Sequence, residues 1–169
     1  MDITVRQENA IFTAAWGGTV RRCAVGRSGI GIKQREGDGI TPAGKWPLRQ
    51  VYFRGDRLDP PTTILPVGKI HPDDAWCDIP GDPNYNRLVR LPYATLNERL
   101  WREDHLYDVI AVVGFNDAPV VQGRGSAIFM HVAREDYAPT EGCVTLPLDD
   151  LLSALEQLRR TDRLIVAAS

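Results

Sequence analysis

Cysteine is scarce in this chain: Cys23, Cys77 and Cys143 are the only three in 169 residues. None stands in a CxxC pair, so no zinc site and no other metal is expected. Three is an odd number, so at least one thiol is unpaired within the chain. Cys23 and Cys77 could join in an oxidising compartment, which the sequence leaves open. No stretch approaches the roughly 18 consecutive apolar residues of a membrane span. The start, Met1-Asp-Ile-Thr-Val-Arg-Gln-Glu-Asn9, lacks a basic segment followed by an apolar one and does not read as a secretory signal. No basic run stands out, and a formal net charge of −2 argues against a nucleic-acid surface. Repeats, low-complexity tracts and dividing linkers are also missing, so residues 1–169 read as one domain, long enough for a sizeable core. An apolar fraction of 43% and a charged fraction of 25% fit that reading of a globular protein.

What is present is mostly strand-like. Ile3 to Val5, Ile11 to Trp16 and Thr19 to Val25 are short alternating or apolar runs, the last two joined by a hairpin turn at Gly17-Gly18. Gly26 to Gly44 carries six glycines among Arg27, Lys33, Arg35 and Asp38, the composition of a mobile surface loop. Trp46 to Phe53 alternates as a strand. Arg54 to Pro92 is long and irregular, yet its Trp76 and Tyr85 favour a packed excursion, read as one wall of a cleft. Its His71-Pro-Asp73-Asp74 is too sparse for a metal site. Thr95-Leu-Asn-Glu98 fits a capping box and predicts a short helix to about Arg102. His105 then falls at a helix end, where an imidazole makes a favourable dipole contact. Tyr107 to Phe115 is apolar without alternation, hence a central strand. After turns at 116–119 and 123–125 and a second strand pair, Pro147 opens a helix. Leu148, Leu151, Leu152, Leu155 and Leu158 form its core stripe, with Asp149 and Asp150 at one end and Arg159 and Arg160 at the other. Arg163 to Ala168 closes the chain as a strand. The class is mostly β, a β-rich α+β chain with one or two short helices.

One segment stands apart: Ser126-Ala-Ile-Phe-Met-His131, a polar loop, then Thr140-Glu-Gly142-Cys143-Val-Thr145. Two apolar runs bring an imidazole and a thiol, twelve residues apart, to the same end of a sheet. Only the thiolate attacks a carbonyl, and a nearby imidazole can take the proton and hold the ion pair. Gly142 removes a side chain where a substrate backbone would approach, and the Gly142 and Cys143 amides are then free to face an oxyanion. The competing reading is a Cys that is a small buried hydrophobe beside a satisfied His.

This segment resembles the active-site motif of the YkuD-type L,D-transpeptidases, a His followed after a loop by Ser/Thr-His-Gly-Cys, a hydrophobic residue and Arg. The likeness carries over His131, Thr140, Gly142, Cys143 and Val144. Upstream, Gly39-Ile-Thr41-Pro42-Ala-Gly44-Lys-Trp46-Pro-Leu48 is similar to the family's second signature, Thr-Pro-Thr-Gly and an aromatic, and Gly125 to His131 to the strand before its histidine. There are departures. Glu141 stands at the second His and Thr145 at the Arg, and the loop is several residues shorter than usual. Cys143 and Thr145 share a face if this is a strand. Glu141, pointing inward, would raise the thiol pKa.

The resemblance implies a bent β-sandwich or open barrel. It implies a peptidoglycan L,D-transpeptidase, with Cys143 as nucleophile, His131 as base, Gly142 and Thr140 shaping the oxyanion site, and no cofactor. Its partners would be donor stem peptides and a diaminopimelate acceptor, and its place the periplasm. The short loop, the missing Arg and the leaderless start are similar to a compact proteobacterial branch that joins first-position L-Ala to diaminopimelate, a 1,3 cross-link. Arg134, backed by Arg124, is the expected carboxylate partner, with Thr145 and Thr41 also at the substrate. The same pair serves an L,D-carboxypeptidase, endopeptidase or amidase if water resolves the thioester. A non-catalytic wall-binding module with a structural Cys143 is the third reading.

Overall fold

The computed structural model describes residues 1–93 and 97–168. Alternating burial gives three strands at the start, β1 (Ile3–Glu8), β2 (Ile11–Trp16) and β3 (Thr19–Cys23), paired antiparallel about the Gly17-Gly18 turn. In the glycine-rich segment β4 (Ile30–Gly31) and β5 (Thr41–Pro42) form a small parallel ribbon. This segment is therefore ordered, where a mobile loop was expected. The Asp38 carboxylate gathers it by accepting from the amides of Gln34, Arg35 and Ile40 at 3.0, 3.3 and 3.0 Å. Downstream lie β6 (Gly44–Phe53), β7 (Val67–Lys69), β8 (Asp74–Trp76), β9 (Leu88–Arg90) and β10 (Glu98–Arg99). The chain finishes with β11 (Val109–Val113), β12 (Phe129–Val132), β13 (Val144–Leu146), α1 (Leu148–Glu156) and β14 (Arg163–Val166).

The main sheet runs β13-β12-β11-β6-β14-β1-β2-β3, with β7 alongside β6. β6 is long enough to serve two neighbours. Residues 44–47 pair with β14 and residues 48–53 with β11, across a register shift between Ala111 and Val113. The bend brings the two edges together. Just past β3, Ala24 exchanges backbone hydrogen bonds with Thr145 of β13 at 3.2 and 2.9 Å. The result is a nearly closed, barrel-like sheet with one helix among the described residues, as the expected fold class required.

Both faces of the β11–β12 region are covered, which explains an apolar run without alternation. Val109, Ala111, Val113, Met130 and Val132 face the barrel core, where α1 contributes Leu151, Ala154 and Leu155. Burying each leucine is worth about 2 kcal/mol. Ile110, Val112 and Phe129 face the other way, against Trp76, Leu100 and Tyr107. A small sheet, β10-β8-β9, forms that cover. Trp76 and Tyr107 meet Phe129 edge-on at 5.2 and 6.1 Å.

Three local expectations need correction. The predicted helix to Arg102 begins at residues outside those described, and its continuation is β10, paired with Trp76 and Ala75 of β8. Cross-strand pairing and the burial of Leu100 override the capping pattern there. His105 consequently caps no helix: it is exposed, with Nδ1 2.7 Å from Asp108 Oδ2. Pro147 is the N-cap of α1 rather than its first residue, and α1 ends at Glu156, before Arg159 and Arg160. All three cysteines are free and buried, with Cys23 and Cys77 in separate core clusters.

Candidate active site

β12 and β13 are parallel neighbours in the register Met130↔Val144, His131↔Thr145. Side chains alternate along a strand, so Phe129, His131, Thr145 and Cys143, one step before β13, fall on one face. That face looks away from the barrel core into the angle under the small sheet. There, a cavity of about 390 Å³ is lined by both Cys143 and His131. Thr145 and Arg134 line it too, together with Lys33, Glu98, Arg102 and Tyr107.

The approach to Cys143 is built by backbone contacts with the front of the chain. Thr140 N–H donates to Val25 O at 2.9 Å, and Arg27 N–H donates to Thr140 O at 2.8 Å. Thr140 Oγ1 donates to Cys143 O at 2.7 Å and accepts from Gly142 N–H at 3.1 Å. Of the two amides expected to face an oxyanion, the Gly142 donor is thus engaged within its own loop, which leaves the Cys143 amide. Gly142 has φ +141°, and a Cβ there would lie 2.9 Å from Ile40 O. The close approach that demands glycine is therefore the chain's own carbonyl rather than a substrate backbone.

Thr41 is buried beneath this loop, not in the cavity lining. Its hydroxyl donates to Gly142 O at 2.9 Å and accepts from Gly26 N–H at 2.8 Å. Its expected place at the substrate is corrected to a strut behind the loop. Thr145 is 2% exposed, and its hydroxyl has no hydrogen-bond partner among the described residues although the residue lines the cavity. Arg134 lies exposed on the cavity rim, while Arg124 is outside the lining. Glu141 turns outward and is held by Arg27 Nε at 3.0 Å.

Cys143 and His131 are each tied to backbone rather than to one another. Cys143 Sγ donates to Ala127 O at 3.3 Å and accepts from Phe129 N–H at 3.4 Å. His131 Nδ1 lies 3.0 Å from Val132 O, and its ring meets Tyr107 edge-on at 5.0 Å. Burial pushes the thiol up to about 12; the Phe129 amide and Lys33 oppose that, and Glu98 adds to it. Burial also lowers His131 to about 4, against the pull of the Val132 and Leu106 carbonyls. Burial thus favours the neutral form of each group, against the ion pair expected from the sequence, because neither charge is solvated there.

Sequence reasoning missed most of the far wall. Tyr107 donates to Glu98 Oε1 at 2.8 Å, and Glu36 accepts from Tyr85 and Ser126. Asp78, also on this wall, is raised by burial and by Glu98 and Glu36 nearby. Of the long 54–92 excursion, Asp78 alone lines the cavity, so the expected wall comes mainly from residues 98–107. Arg102 is fixed by Asp104 at 2.7 Å. The only sequence signal was the density of charge around Lys33 and Asp38, which reads equally well as a solvated loop.

No curated protein and no solved structure matches this chain. The family model of the L,D-transpeptidase catalytic domain, YkuD, matches residues 3–166, a span that holds the sheet, the helix and the whole cavity. The chain belongs to the YkuD family of L,D-transpeptidase catalytic domains.

Proposed function

We propose that this protein cross-links peptidoglycan stem peptides through a thioester on Cys143, with His131 moving the protons. The observation that carries the reading is one cavity lined by both groups, the imidazole on β12 and the thiol just before the adjacent parallel β13, two residues back from the position opposite the imidazole. The resting groups are neutral, so the proton leaves the sulfur as the bond to the substrate forms. Rotation about the Cys143 Cα–Cβ bond frees Sγ from Ala127 O and turns it into the cavity. The imidazole takes the thiol proton, and sulfur attacks the carbonyl carbon of an L-residue joined to a D-residue. The oxyanion is held by the Cys143 amide. Collapse breaks the C–N bond, His131 returns the proton to the departing amine, and the thioester remains. The side-chain amine of a diaminopimelate in a second stem then attacks the thioester carbonyl, giving its proton to His131. The C–S bond breaks, and the sulfur regains that proton.

Thr140 keeps the loop in shape, Arg134 meets a substrate carboxylate at the rim, and the Thr145 hydroxyl offers a donor at the cavity floor. The donor bond we assign is that of the first-position L-Ala, a 1,3 cross-link, on the short His-to-Cys loop and the Thr at the family's Arg position. Stem peptides lie outside the cytoplasm, so the site of action is the periplasm. Incubation with disaccharide-peptides followed by mass spectrometry tests the reading. We expect an acyl adduct on Cys143, dimeric products, and neither from a folded Cys143→Ala protein. Shortened monomers without dimers would mean hydrolysis, and dimers from the alanine protein would remove the thiol from the mechanism. Products whose donors lose only D-Ala would overturn the 1,3 assignment.

A further inference from the structure

Lys33 sits where a charge is costly. It is 4% exposed, yet it lines the same cavity as Cys143. Its ammonium donates to Asp38 Oδ1 at 2.6 Å and lies 3.4 Å from Ile40 O. Asp38 is fixed in turn by three backbone amides of its own segment. Gly125 clears the way for the side chain, and Gly142 borders its ammonium. A Cβ on Gly125, at φ +112°, would come within 2.5 Å of Lys33 Cε, and one on Gly142 would lie 3.5 Å from Nζ. The chain thus leaves side-chain space vacant at Gly125, and the ammonium reaches Gly142, the residue preceding the thiol.

Stapling a loop does not require this. A buried ion pair carries a desolvation cost that an apolar pair of the same volume avoids. What the ammonium supplies, and an apolar pair does not, is positive charge beside the sulfur. We propose that Lys33 is an electrostatic positioning residue: held by Asp38 against Gly142, it favours negative charge on Cys143 Sγ. It offsets Glu98, which faces the same sulfur from the opposite wall, and it acts in the direction its field has on the thiol. Tyr107 also acts on the sulfur, and His131 shares the cavity. Glu36, Asp78, Arg102, Arg134 and Glu141 complete the charged lining. The inference rests on Cys143 being the nucleophile.

The test uses the pH dependence of Cys143 alkylation by iodoacetamide in the whole protein, with no peptide present. Mass spectrometry of the Cys143 fragment excludes Cys23 and Cys77 from the signal, and Tm is recorded for each variant. Lys33→Met should slow alkylation at a fixed pH about tenfold, equivalent to moving the thiol titration up by about one unit. Asp38→Asn, which leaves the cation without its counter-charge, should move it down and speed alkylation. A purely structural pair predicts shifts in the same direction or none, and either result overturns the proposal. If Lys33→Met does not fold, the sign of the Asp38→Asn shift decides alone. Normal alkylation shifts in a protein that fails to cross-link would count against the transpeptidase reading and leave this inference standing.

Discussion

A thiol that sits beside Phe129 and donates to a carbonyl has no reason to ionise at rest, and the imidazole near it has none to gain a proton. Both effects come from burial, and both reach beyond catalysis. Free imidazole titrates near 6.5, whereas His131 does so at about 4 in the folded chain. Between those values the unfolded chain holds a proton that the folded chain does not. Stability from this residue is therefore complete above the unfolded value and is lost as pH falls toward 4, by about 3 kcal/mol. Urea titrations at neutral and acid pH should show this loss in the wild type and a smaller one in His131→Gln. Cys143 works in the opposite sense, losing stability as pH rises from its free value toward 12.

Among the elements, α1 shows how the site is supported from behind. Its Leu151 is fully buried in the barrel core with Met130 and Val144, the strand residues that alternate with His131 and Cys143. Leu151→Ala should cost about 2–5 kcal/mol, read as a lower urea midpoint with an unchanged slope. The leucine stripe made this helix legible in the sequence, and alternation did the same for β1, β2 and β6. The two cavity-facing residues were legible too, since an apolar run ending in His131 and another following Cys143 mark two buried strands; that these run parallel was not. What escaped was set by contacts distant in sequence. β10 looks like a capped helix until β8 is beside it, and the role of Thr41 depends on Gly142, a hundred residues later. Lys33 reads as a loop charge until Gly125, ninety-two residues later, is seen to admit it. Local spacing records which face a residue takes, not which segment will lie against it.

For the molecule as a whole, three thiols lie in three different surroundings, with Cys23 in the barrel core, Cys77 under the small sheet and Cys143 at the cavity. Denatured protein prepared without reductant should titrate three thiols; one thiol would reveal an internal disulfide. The barrel itself is completed by the backbone bonds between Ala24 and Thr145 and by those of Val25 and Arg27 to Thr140. The loop before the sulfur is thus moulded on one side by the first sixth of the chain and on the other by the strand that carries the imidazole. A polypeptide clipped after its first strands keeps the sulfur but loses the mould for it, and a half-synthesised one has the mould but not yet the sulfur. Assembly acts as its own safety catch: the cavity around the sulfur exists only when front and back have met.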